Sequence, residues 1–116
     1  MTRTTRWMSD QHEDYLAGVI EGRKQPGSGN QFNGQMDVRN DPYDSYALAV
    51  DGKSTMGKSI SITQDMIVKA MEQAHLCEPA IGLRWYLDET GRKTLDWVAV
   101  PAEFLRSLLA EARGAQ

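Results

Sequence analysis

Apolar positions along this 116-residue chain follow two rhythms, one helical and one of alternating strands. Tyr15, Leu16, Val19 and Ile20 recur at the three-to-four spacing of a helix face. Ser9 offers an N-cap and Asp10 a first-turn acid, so the pattern predicts a helix from Ser9 that stops before Gly22. Residues 1–8 are expected to fray, leaving 9–116 as a single domain. Residues 22–35 are dense in Gly, Pro, Ser and Asn and read as a loop. Met36 to Arg39 is a short strand candidate, followed by the turn Asn40-Asp41-Pro42-Tyr43-Asp44. Residues 45–53 then return as the second arm of a hairpin. Their core, Tyr46-Ala47-Leu48-Ala49-Val50, alternates and puts Tyr46, Leu48 and Val50 on one face.

Further along, Ser61-x-x-Gln64 has the form of a capping box, and Met66, Ile67, Ala70, Met71 and Ala74 give the next helix its apolar stripe to about His75–Cys77. Ile81, Leu83, Trp85 and Leu87 alternate again. Asp88 to Arg92 forms a hairpin loop, and Thr94 to Val100 returns. Pro101 suits the first position of a last helix, with Phe104, Leu105, Leu108 and Leu109 on its apolar stripe. The expected order is α-β-β-α-β-β-α: an α/β (α+β) chain whose mixed sheet is covered by helices in three layers.

Composition narrows function little. The length suits one domain with its own core. A net charge of −3 gives no general attraction to nucleic acid, so any such contact must be local. Cys77 is the single cysteine, which excludes an internal disulfide and a cysteine metal site. Residues 1–8 lack the apolar segment of a signal peptide, and no apolar run reaches membrane-spanning length. A cytoplasmic setting is expected.

The candidate chemistry sits at Asp37 and at Asp51-Gly52-Lys53, where the alternating run ends. Period two puts Asp51 and Lys53 on one strand face, about 7 Å apart along it. Carboxylates beside an ammonium can hold a hard divalent cation and polarise a phosphate. Met56-Gly57-Lys58-Ser59 contains Gly-Lys-Ser, five residues after Gly52 as in a phosphate loop, but the expected strand runs through Gly52 and the next helix is expected only from Ser61, so that reading is not adopted. His12 and His75 read as surface or helix-end residues and Met66 and Met71 as core. Cys77 reads as a small buried residue, and Trp85 and Trp97 as core or subunit interface.

The segments His12-Glu13, Gln25-Pro26-Gly27-Ser28-Gly29, Met36-Asp37-Val38 and Val50-Asp51-Gly52-Lys53-Ser54-Thr55 together resemble the PD-(D/E)xK nuclease superfamily, and within it the small Holliday-junction-resolvase-like and phage-encoded members. The likeness runs from Glu13 to about Leu87, 75 of the 116 residues. It implies a restriction-endonuclease-like fold and a bacterial or phage-infected cell. Asp37, Asp51 and Glu13 would hold Mg²⁺, with Mn²⁺ as a substitute, and the Gly52 carbonyl would be a further ligand. Lys53 would assist the attacking water. Ser28 and Asn30 would touch the DNA backbone and Gln64 phosphate or a metal-bound water. Arg23, Lys24 and Lys58 would add basic contacts, with Lys69 and Arg84 as further candidates along a DNA path. A junction with two-fold symmetry would call for a homodimer. The sequence departs from the family pattern at Met36, where glycine is usual, and at Asp51, where glutamate is more frequent.

Other readings stand beside this one. Glu13 could simply favour the dipole of its helix, and Asp37 could be a hairpin residue capping Arg39. The chain could keep a nuclease scaffold as a weakly active or inactive binding module, or be an interaction protein that assembles through its Trp-bearing hairpin.

Overall fold

In the computed structural model, which describes residues 5–25 and 36–114, the first helix already begins at Thr5, upstream of the expected Ser9 cap. Helix α1 spans Thr5–Ile20. Tertiary contacts hold its first turns: the Tyr86 hydroxyl donates to the Met8 carbonyl at 2.7 Å, and Trp7 lies against Gly91, whose φ of 78° turns the later hairpin. A Cβ at Gly91 would sit 2.8 Å from the Trp7 ring. The expected fraying of residues 5–8 is therefore corrected.

The sheet has five strands: β1 Arg23–Lys24, β2 Val38–Arg39, β3 Leu48–Thr55, β4 Glu78–Tyr86 and β5 Thr94–Ala99, side by side in chain order. Strands β1, β2 and β3 form an antiparallel meander. Strand β4 runs parallel to β3, and β5 returns antiparallel. A parallel pair needs a crossover, and helix α2 (Gln64–Gln73) supplies it. Helix α3 (Ala102–Ala112) closes the described chain. Among the described residues the result is a mixed α+β fold of three helices and five strands. Strand β1 is an addition to the expected order: the Gln25 N–H donates to the Asp37 carbonyl, so the start of the expected loop is drawn onto the sheet.

Both sheet faces carry core. Leu16 packs with Val38, Val50 and Ala80 on the α1 side. Met36, Ala47, Ala49, Ala70, Ala74 and Cys77 form the cluster under α2. Met36 is thus fully accommodated where glycine was usual. Leu16 fits because Gly82 faces it: a Cβ on Gly82 would lie 2.6 Å from one Leu16 methyl. Tyr46 stands outside β3 with φ of 55° and stacks edge-on against Phe104 of α3. It does not share the strand face expected for it. Thr63, not Ser61, caps α2 by accepting the Met66 N–H at 3.2 Å. Met71 is 60% exposed and not core. Among the described residues, no helix is long and apolar enough to cross a membrane.

Candidate functional site

Asp37 owes its position to a backbone irregularity. Val38 pairs with Val50, and the Asp37 N–H also donates to the Val50 carbonyl at 3.0 Å. Two successive residues therefore oppose one, as in a β-bulge, which re-aims a side chain and recurs next to active sites. Met36 goes to the α2 cluster while Val38 joins the α1 cluster, as such a dislocation requires. The Asp37 carboxylate then accepts the Gly52 N–H at 2.8 Å. Asp37 so docks on the middle residue of Asp51-Gly52-Lys53.

A Cβ at Gly52 would lie 3.3 Å from His12 Nδ1, 3.4 Å from Leu16 and 3.5 Å from the Asp37 carboxylate. Gly52 therefore faces α1, and strand alternation sends Asp51 and Lys53 to the opposite face. There the Lys53 ammonium meets the Asp51 carboxylate at 3.1 Å, both half-exposed. Glu13 belongs to the Asp37 side. Burial, and then the charge of Asp37, push its carboxyl up to about 6 from an ordinary 4.5. The predicted residues thus form two halves, Glu13 with Asp37 and Asp51 with Lys53, joined at Gly52. Among the described residues, no three of His, Cys, Asp and Glu stand together as a metal-holding group.

The halves meet at an edge. Strand β2 pairs with β3 only as far as Val50, whereas β4 continues along β3 to Thr55. The Gly52 N–H points out of that edge, which no strand pairs among the described residues, to Asp37, and in an extended strand its carbonyl points the same way. Asp37, Gly52 and Asp51 therefore border one stretch of β3 that β2 leaves uncovered.

The expected DNA contacts are dispersed. Lys24 is held by Asp14 at 3.0 Å, a hydrogen bond that raises its ammonium above the ordinary value. Arg23, Lys58 and Gln64 are exposed on β1, after β3 and at the start of α2. Ser28 and Asn30 lie outside the described residues. Arg84 is corrected: it is buried, bonds Asp96 at 2.6 Å and lies over the Tyr15 ring, so it lines no DNA path.

His12 is corrected as well. It is 2% exposed with its Nε2 unpartnered. Burial first, and then the charge of Arg84, pull its imidazole down to about 4. Met8, His12 and Leu16 recur every four residues, and this spacing was the sequence signal for a buried position beside Gly52. Comparison of the chain with protein-family models, curated proteins and solved structures finds no match in any of the three.

Proposed function

We propose that this protein is a metal-dependent DNA endonuclease that hydrolyses phosphodiester bonds, selective for branched DNA in the manner of a junction resolvase. The observation that carries the reading is the docking of the Asp37 carboxylate on the Gly52 N–H, inside Asp51-Gly52-Lys53. It links the aspartate before one strand to the Asp-x-Lys of the next, at an edge the neighbouring strand leaves open. A mixed sheet flanked by helices is the architecture that the resemblance to PD-(D/E)xK nucleases implies.

The donor set suits Mg²⁺. Glu13, Asp37, Asp51 and the Gly52 carbonyl offer only oxygen, which this hard cation prefers. Burial first, and then repulsion from Asp37, raise the Glu13 carboxyl, and a cation beside the two would relieve that repulsion. When bound, Mg²⁺ supplies a polarising charge and an activated water. Lys53 adds a fixed positive charge for the phosphate oxygens as negative charge grows on them. The Asp51–Lys53 bridge keeps that ammonium at the strand end until phosphate competes for it.

The test is cleavage of four-way and linear DNA with Mg²⁺. Wild type should cut the junction, and Lys53→Ala and Asp51→Asn should each lose the activity by at least about 100-fold. Absence of cutting by wild type, or undiminished cutting by both variants, would reject the proposal. The placement of Asp51 and Lys53 on the face away from Glu13 favours a second reading, a nuclease scaffold that binds branched DNA without turnover. Mobility shifts without metal-dependent cleavage would select it.

A further inference from the structure

We propose that the groove between helix α2 and the sheet binds a small amphiphilic amine, which lays an apolar chain along the groove and sets its ammonium among the carboxylates of Asp44, Glu78 and Glu103. The inference does not rest on the nuclease reading.

Strand alternation builds the floor of this groove. Gly82, Arg84 and Tyr86 of β4 turn towards α1, so Ile81, of opposite parity, faces the α2 side. Ala99 pairs with Ile81 and joins it there. Its single methyl fills little space, and the chain leaves the sheet at Pro101 soon after. The result is a cavity of about 480 Å³ walled by Ile62, Ile67, Met71, Ile81, Ala99 and Pro101 among others. Small-molecule sites span roughly 300–1,000 Å³ and are mostly apolar. At about 30 Å³ for each water-sized group, this one holds an apolar body of roughly ten to fifteen heavy atoms.

Charge selects the head group. Glu78 lines the groove and also a second, smaller pocket of about 330 Å³. Asp44 and Glu103 line that pocket as well, together with Tyr46 and Phe104, whose rings meet edge-on at 5.8 Å. Among the described residues, neither space is lined by a lysine or an arginine. Arg106 reaches Glu103 at 3.5 Å, but both side chains are about three-quarters exposed, so that bridge is weak and exchanges readily. Three carboxylates repel an anion and attract a cation, and aromatic rings add to the attraction. Because Glu78 belongs to both spaces, one ligand spans them: apolar chain in the groove, protonated amine in the acidic pocket. The site lies apart from Asp51-Gly52-Lys53. Glu78 pairs with Leu48, and Gly82 with Gly52, about 13 Å further along the sheet.

Titration calorimetry with decylamine, decanoate and ethylamine, below micelle-forming concentrations, tests the site without DNA. His75 also lines the groove, so the buffer is set at about pH 8, where alkylamines are protonated and an ordinary imidazole is neutral. Wild type should bind one decylamine, at least about tenfold tighter than decanoate, since each exposed charge contact is worth up to roughly fivefold and the same groups repel the anion. Ethylamine, which lacks the chain, should not bind measurably. Glu78→Gln with Asp44→Asn, both at exposed positions, should bring the two ten-carbon ligands to nearly equal affinity, and added salt should narrow the wild-type preference. Ala99→Phe fills the groove and should abolish binding of both. Ile67→Gln, at a half-exposed position of α2, should weaken both and serves if Ala99→Phe does not fold by circular dichroism. A wild type that binds neither chain, decanoate held as tightly as decylamine, or a preference unchanged in the carboxylate variant would overturn the proposal. So would decylamine binding that survives the groove substitutions.

Discussion

Replacing Gly82 with alanine tests the packing of α1 on the sheet at its tightest point. The new Cβ would lie 2.6 and 2.7 Å from the two Leu16 methyls and 3.2 Å from its Cγ, well inside the 3.5–4.0 Å at which carbons attract. Leu16 is 1% exposed, so its methyls can yield only against packed neighbours. Overpacking of this kind costs about 1–3 kcal/mol, partly offset by the roughly 0.5–1 kcal/mol that alanine recovers over glycine in a strand. A net loss of about 1–2 kcal/mol should lower the urea midpoint by roughly 0.5–1 M at unchanged slope. Leu16→Ala alone should cost about 2–5 kcal/mol through the cavity it leaves. In the double variant the alanine methyl enters that cavity, so the combined loss should fall short of the sum by about 1 kcal/mol or more. Urea unfolding followed by tryptophan fluorescence reads all four proteins. A neutral Gly82→Ala, or strictly additive losses, would refute the claimed contact.

The other predictions concern buried charge. Removing one partner of the Arg84–Asp96 pair by Arg84→Met should destabilise by about 3–5 kcal/mol, because Asp96 is left desolvated and unpaired; Arg84→Met with Asp96→Leu should recover much of the loss. His12 titrates near 4 when folded and near 6.5 when unfolded. Its contribution is complete above pH 6.5 and declines as pH falls towards 4, by up to about 3 kcal/mol. Glu13 runs the other way: with a folded value of about 6 against 4.5, its contribution is complete below pH 4.5 and is lost as pH rises through 6. Screening of this half-exposed carboxylate limits that loss to about 1 kcal/mol. Glu13→Gln should therefore steepen the rise of stability between pH 4.5 and 6, and an unchanged pH profile would contradict the assignment.

Strong periodicity made most elements legible in the sequence. Both hairpins, helix α2 and the last helix follow from alternation, turn residues and apolar stripes, whereas the parallel pairing of β3 with β4 across α2 does not. What escaped was decided by tertiary contact. The first turns of α1 exist because Tyr86 and Gly91 hold them. Strand β1 is two residues long and follows from pairing with β2, not from propensity. Tyr46 looks like a strand residue, yet it turns at positive φ to meet Phe104.

At the candidate site, the spacing of Asp51 and Lys53 foretold their contact. It could not reveal the bulge at Asp37, because a dislocation of one residue leaves no mark in composition. The bulge decides on which side of β3 the Asp37 carboxylate lies. His12 and Arg84 were misread because polar residue types suggest solvent, whereas their four-residue and two-residue spacings placed them on buried faces.

The most direct test of the metal-centre claim is the anomalous signal from a crystal of the protein soaked in Mn²⁺. The account predicts an ion at the open edge of β3, bound by carboxylate oxygens of both Asp37 and Asp51 with Glu13 nearby. Full-occupancy Mn²⁺ elsewhere, with Asp37 still on the Gly52 N–H and Asp51 still on Lys53, would contradict it.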